Sequence, residues 1–158
     1  MYTFYIYSAK LTQTAETRDL CFRILGVMKN VTHLKNLPPL NKLRLASNKL
    51  TEIPDGVFNN TTITDLNLQF NQIATVATKA FDHMPKLKRL SIMYNKPTLW
   101  DNNWLDGSSE LSILLVNDNQ ITEIPDEAFK NYHDVFRLDL GHNKISRISM
   151  KAFHNVGH

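Results

Sequence analysis

The chain holds a single cysteine, Cys21, in 158 residues. One thiol can neither close a disulfide within the chain nor furnish a thiolate metal cage. Cys21 therefore reads as a small buried hydrophobe. Charge of one sign is also scarce: 18 Lys and Arg against 15 Asp and Glu leave a formal +3, scattered singly rather than in blocks. That is too little to attract a phosphate backbone, so no nucleic-acid partner is expected. No apolar run approaches the roughly 18 residues of a membrane helix, the longest lying around Leu111 to Val116, and no membrane span is expected. The opening, Met1 to Ala9, is aromatic but lacks a basic leader, and its apolar part is short and broken. It is not read as a signal peptide; if the protein is secreted, its leader lies outside this stretch.

Catalytic motifs are missing too. There is no phosphate-cradling glycine loop and no HExxH, so neither cofactor nor metal is expected. The histidines at 33, 83, 133, 142, 154 and 158 are dispersed. Asp82-His83 and His133-Asp134 are adjacent pairs whose side chains need not converge. Glu52, Asp55, Glu123 and Asp126 belong to a repeated T-E-I-P-D phrase and so mark equivalent loop positions, not a carboxylate pair across a cleft. The chain is read as non-enzymatic.

What is present is enough apolar material for a core, 42% of residues, arranged in a repeat. A segment with apolar residues at positions 1, 4, 6, 11 and 14, asparagine at 9 and phenylalanine (once leucine) at 19 recurs five times, beginning at Leu40, Ile63, Leu87, Leu111 and Val135. Its asparagines, Asn48, Asn71, Asn95, Asn119 and Asn143, stand 23, 24, 24 and 24 residues apart. Alternation across positions 4 to 6 predicts a short strand, so stacked copies make a parallel sheet on one wall. The asparagine falls in the turn that follows. Its amide both donates and accepts there, satisfying backbone groups that leave the sheet, and the five form a structural ladder. The position-19 column, Phe58, Phe81, Leu105, Phe129 and Phe153, fills the outer side of the arc. Amphipathic helices are excluded, because the spacing departs from 3.6 after one turn.

Segments such as LNKLRLASNKLTEIPDGVF, LSILLVNDNQITEIPDEAF and VFRLDLGHNKISRISMKAF resemble the leucine-rich repeat family, in its "typical" subclass of about 24 residues, from about Leu34 to Val156. The resemblance implies an α/β leucine-rich repeat solenoid: an open arc, with a parallel β-sheet on the concave face and loops and short helical turns on the convex one. The subclass is characteristic of extracellular proteins, among them Toll-type receptor ectodomains, Slit-like guidance proteins, small proteoglycans and invertebrate leucine-rich immune proteins. It implies a protein-recognition module for a protein or microbial ligand, in innate immunity or cell-surface signalling. An intracellular scaffold or signalling adaptor, cytoplasmic and without glycans, is the alternative. Family members usually carry cysteine-rich caps, absent here. The expectation is a fragment, or a homodimer through an uncapped end.

Residues 1–18 read as an irregular amino-terminal segment, flexible or adding a strand to the open edge, and 19–158 as the repeat domain, with a degenerate repeat over 19–39 before the five over 40–158. If packing dictates the inward columns, function lies at positions 3, 5, 7 and 8. Phe70, Met93, Tyr94, Ile113 and Leu115 then fall on three adjacent repeats, rimmed by Arg89, Asp65, Asp118 and Arg137. Apolar anchors in a charged rim suit a ligand-binding patch. The other reading has Phe70 and Tyr94 folding back under the turn, with Ile113 and Leu115 as scattered surface residues. In the third repeat Trp100 stands in the inward column 14, while Trp104 is less constrained; their loop is a convex contact surface or a local repacking. Asn30, Asn59 and Asn60 each open an N-x-[ST] acceptor, the last two on a loop between repeats.

Overall fold

The computed structural model describes residues 12–14, 17–21, 30–31, 39–130 and 132–154, with backbone alone for the first two stretches. Most of 1–18 and of 22–39 lies outside the described residues, including Phe22 and Ile24. Seven short strands build one sheet: β1 (Thr12–Thr14), β2 (Thr17–Cys21), β3 (Lys42–Arg44), β5 (Asp65–Asn67), β7 (Arg89–Ser91), β8 (Ile113–Leu115) and β10 (Arg137–Asp139), in the spatial order given. From β2 onward every pair is parallel and in phase, Leu20 beside Leu43, Leu43 beside Leu66, and so through Leu90 and Leu114 to Leu138. β1 is a hairpin partner on the outer edge of β2, antiparallel to it. The β2 backbone thus enters the sheet in the register of the repeats.

Repeats explain that phase. Each position-4 leucine points into the core, and Leu43, Leu66, Leu90 and Leu114 are all fully buried. A one-residue slip would turn such a side chain to solvent, so the register is strongly specified. The opposite wall carries two small parallel pairs, β4 (Glu52–Ile53) with β6 (Thr75–Val76) and β9 (Glu123–Ile124) with β11 (Arg147–Ile148). Between them it runs in single hydrogen-bonded turns; no helix occurs among the described residues. The solenoid is therefore an open parallel-sheet arc, with single turns on the convex wall in place of the expected short helical turns.

Strand exit is handled identically in every repeat. Position 8, occupied by Ser47, Phe70, Tyr94, Asp118 and His142, takes a positive φ of 52 to 59° throughout. The backbone thereby turns sharply and delivers the following asparagine inward. Asn71 Nδ2 donates to the carbonyls of Leu68 and Leu45 while its Oδ1 accepts from Leu50 N–H, linking two repeats. Asn95 repeats this with Ile92, Leu68 and Ile73. Asn119 departs in one bond. Pro97 occupies the position that would donate, and proline has no N–H, so Asn119 Oδ1 accepts from Asn95 N–H instead.

Rings fill the outer side. Phe58 and Phe81 are fully buried and face each other nearly parallel at 6.1 Å. Phe129 meets Trp100 at 5.0 Å and Phe153 at 4.8 Å. Both tryptophans are core residues, with Trp104 as buried as Trp100 and 5.4 Å from it. Trp104 is thus more constrained than its sequence position implied, and the third-repeat loop is a repacking around two indoles. In the fifth repeat the inward columns loosen: Leu138 and Leu140 are half-buried, and Ile148 and Phe153 are exposed. No further described repeat packs over them, and they fall short of the burial that Leu114, Val116, Ile124 and Phe129 have in the same columns of the fourth repeat.

Candidate functional site

The concave wall displays the variable positions in register. Lys42, Asp65, Arg89, Ile113 and Arg137 stand side by side at position 3, and Arg44, Asn67, Ser91, Leu115 and Asp139 at position 5. Met93, Leu115, Asp65 and Arg89 line one hollow of about 500 Å³ together with Lys42, Arg44 and Ser91. Lys42, Arg44 and Ser91 stand in the outward columns but outside the patch expected from the sequence, and of the three the buried one is Ser91. It is 5% exposed despite facing the concave side, and its hydroxyl has no hydrogen-bond partner. Burial there comes from the longer side chains around it, which a column reading cannot show.

The charged rim is more self-contained than the sequence implies. Arg89 Nε lies 3.7 Å from Asp65, so these two neutralise each other across adjacent strands. Arg137 pairs with Asp139 at 3.4 Å, and the same carboxylate accepts from Gly141 N–H. Asp118 accepts from the Asn117 amide at 2.7 Å. Ile113, Asp118 and Arg137 lie outside the lining of the hollow, and Ile113 and Leu115 are half-buried rather than projecting.

Phe70 and Tyr94 behave differently from either rim or hollow. They do not fold back under the turn: their side chains are 50% and 45% exposed, and the rings stack on each other at 4.5 Å, 11° from parallel. Their backbones explain the alignment. Phe70 N–H donates to Met93 carbonyl and Tyr94 N–H to Asn117 carbonyl, so consecutive position-8 residues are held one strand spacing apart with the same left-handed φ. Asp and His are common in that conformation, as at Asp118 and His142; bulky aromatic residues are not. An exposed aromatic pair has thus been placed where the backbone disfavours it.

Elsewhere the titratable groups serve the scaffold. Asp82 and His83 do converge, at 2.7 Å, but as neighbours in a surface turn. Asp55 accepts from the backbone N–H of Lys79, and Asp126 from the Ser149 hydroxyl, so equivalent carboxylates of the T-E-I-P-D phrase staple one loop to the next. Among the described residues no group of three His, Cys, Asp or Glu could hold a metal ion, and no helix is long and apolar enough to cross a membrane. Asn30, Asn59 and Asn60 are exposed.

The family model for leucine rich repeats matches residues 38–108 and 109–158, which is most of the chain. The chain belongs to the leucine-rich repeat family. Relatives in that family include the leucine-rich repeat-containing G-protein coupled receptor 4 of Rattus norvegicus, 33% identical over 113 residues, covering 71% of this chain and 12% of the receptor. The leucine-rich repeat transmembrane protein FLRT2 of Homo sapiens is 35% identical over 130 residues, covering 76% of this chain and 19% of that protein. Lumican of Oryctolagus cuniculus is 31% identical over 110 residues, 68% of this chain and 54% of lumican. The crystal structure of a TLR13–ssRNA13 complex superposes with a TM-score of 0.73 at 29% identity, over 81% of this chain and 18% of that one. The chain thus spans about an eighth to a half of the curated relatives it matches. Repeats of this family indicate an interaction module, and the TLR13 chain is a structural neighbour of this one.

Proposed function

We propose that the chain is a non-catalytic recognition module of a secreted or cell-surface protein, binding a protein or microbial ligand through its concave face in innate-immune or cell-surface signalling. The observation that carries this is the Phe70–Tyr94 stack, exposed, flat and held in left-handed turns beside the hollow of Met93 and Leu115. Backbone strain that the fold does not need at a given residue type is retained where the side chain has work to do. Aromatic anchors beside a hollow with paired charges are the pattern of a protein interface, because such charges add specificity while the rings supply the apolar contact. The names of the relatives, receptors and a transmembrane protein among them, support the compartment. Single-stranded RNA accompanies the TLR13 neighbour, but a formal +3 without a basic stripe favours a protein surface over a polyanion for this chain.

The test compares capture of secreted and cell-surface proteins by the wild type, Tyr94→Asp and Leu115→Asp, quantified by mass spectrometry. Aspartate is tolerated at a left-handed φ, so Tyr94→Asp should fold. A partner captured by the wild type should be depleted about tenfold with either variant, the loss of one interface anchor being worth about 1.4 kcal/mol or more. Equal capture by all three sinks the concave reading.

A further inference from the structure

The geometry points to a second binding site, on the wall opposite the concave sheet, where a slot between the second and third repeats takes a short extended peptide segment edge-on. Four observations lead there. The first is a break in the backbone ladder. At position 12, Ala74 N–H donates to Thr51, Thr122 to Thr98 and Ser146 to Thr122, at 2.9 to 3.1 Å, but Thr98 makes no such bond to Ala74. At position 15, Ala77 donates to Ile53 and Ser149 to Ile124, while Asp101 makes no bond to Val76. β6 is accordingly paired on one edge only, and the third repeat contributes no strand to this wall. The ladder is intact on both sides of the gap, through Lys96 N–H to Ile73 carbonyl at 2.8 Å and Phe81 N–H to Trp104 carbonyl at 3.2 Å.

The second observation supplies the cause. Trp100 stands in a column otherwise filled by Ile53, Val76, Ile124 and Ile148, and Trp104 in one of Val57, Ala80, Ala128 and Ala152. Two indoles in place of a branched aliphatic and an alanine cannot pack at the same repeat spacing, so the third repeat is wedged away from the second. Third, the wedge leaves a cavity of about 530 Å³, within the size range of ligand sites, with Pro97, Pro125 and the exposed Leu99 in its lining. Fourth, Trp104, which lines the slot, buries its indole N–H without an acceptor, and Asn102 Oδ1 is buried without a donor. Trp100, by contrast, donates to the Ala128 carbonyl. A buried polar group in a native structure is normally paired, so these two mark the slot wall as packed short of its usual hydrogen bonds.

The chemistry of the open groups selects the ligand. One wall offers the carbonyls of Ala74 and Val76, the other the N–H groups of Thr98 and Asp101. A carboxylate or an ammonium group satisfies only one kind. A peptide backbone carries both at strand spacing and can replace the missing rungs, as in strand addition to a sheet edge. Asp101 is the single charged residue of the lining, so the segment is uncharged where it enters. Its length is limited to a few residues by the intact rungs on either side.

Both tryptophans of the sequence line this slot, so their emission reads it alone. The experiment pans the whole chain against a linear heptapeptide phage library and titrates the selected peptides into the protein while following tryptophan emission. The expected result is a saturable change in emission, with binding at least tenfold weaker for Leu99→Arg, which obstructs the slot from an exposed position, and for peptides N-methylated at alternate amides. Leu115→Asp, on the concave face, should bind as the wild type does. Amide exchange at Thr98 and Asp101 should slow in the complex. Failure to select a peptide overturns the proposal. So do peptides that leave the emission unchanged, or that bind Leu99→Arg as tightly as wild type. Sensitivity to Leu115→Asp alone would assign the peptides to the concave face.

Discussion

At the scale of the residue, the asparagine ladder and one buried tyrosine show how single side chains set stability. Asn95 is buried and serves three backbone groups on two repeats, so Asn95→Ala orphans the N–H of Ile73 and takes one of two amide donors from each of the Leu68 and Ile92 carbonyls, which keep Asn71 and Asn119. With the orphaned N–H costing about 1 to 3 kcal/mol, the variant should lose roughly 2 kcal/mol in urea unfolding, whereas Lys96→Ala, at an exposed neighbour, should change little. A loss below about 1 kcal/mol would mean that the ladder is decorative. Tyr132 is buried with its hydroxyl unpaired, and burial, helped by the charge of Asp106, pushes its ionisation well above the usual 10.0. Above pH 10 the unfolded chain therefore releases a proton that the folded chain keeps, so stability is full below that pH and falls as pH rises. Tyr132→Phe should be as stable as the wild type or more so near neutrality, and should show a shallower alkaline decline in thermal melts between pH 9 and 11. Parallel declines would refute the linkage. These roles were unequally legible. A column of asparagines at one spacing declares its turn in the sequence, since a short side-chain amide there both donates to and accepts from the backbone. The isolation of Tyr132 depends on what fails to surround it, and sequence carries no trace of that.

At the scale of the element, the columns predicted the strands because an inward leucine and an outward neighbour leave only one register. The phase from Leu43 to Leu138 follows directly. The second wall was not legible in the same way. Its strands are two residues long, their existence depends on the spacing of neighbouring repeats, and the indoles of the third repeat change that spacing by volume rather than by pattern. The turn conformation of Phe70 and Tyr94 was half-announced: serine, aspartate and histidine in the same column are turn residues, yet aromatic ones are not. The loop after Phe58 belongs to this scale too. Asn59 and Asn60 are exposed there, Thr61 bonds its hydroxyl to the Phe58 carbonyl, and the loop joins two repeats away from the concave hollow. Expressed behind a secretion leader in insect cells, the chain should carry a glycan on this loop. The increment in mass should vanish with an N-glycosidase and fall when Thr61 and Thr62 are both replaced by alanine. An unmodified secreted chain would remove this support for an extracellular role.

At the scale of the whole molecule, stability in a solenoid is a sum of contacts between neighbours, so each repeat is as firm as the repeats on either side of it. The inward columns record that dependence. Leu66, Leu90 and Leu114 are buried in the second to fourth repeats, whereas Leu138 is half-buried and Ile148 half-exposed in the fifth. Local opening should follow this gradient, because exchange of a backbone amide reports the free energy of the smallest opening that exposes it. Amides that bridge the middle strands, Leu68 N–H to Ser91 carbonyl and Ile92 N–H to Leu115 carbonyl, should exchange slowest, close to the rate set by global unfolding. Lys144 and Ser149, which bond the fifth repeat to the fourth, should exchange at least tenfold faster. Phe81→Ala should lower protection throughout the middle repeats by an amount approaching the 3 to 5 kcal/mol typical of a buried phenylalanine, and Phe153→Ala, 44% exposed, by much less and chiefly in its own repeat. Uniform protection from the second repeat to the fifth would show instead that the stack opens as one cooperative block.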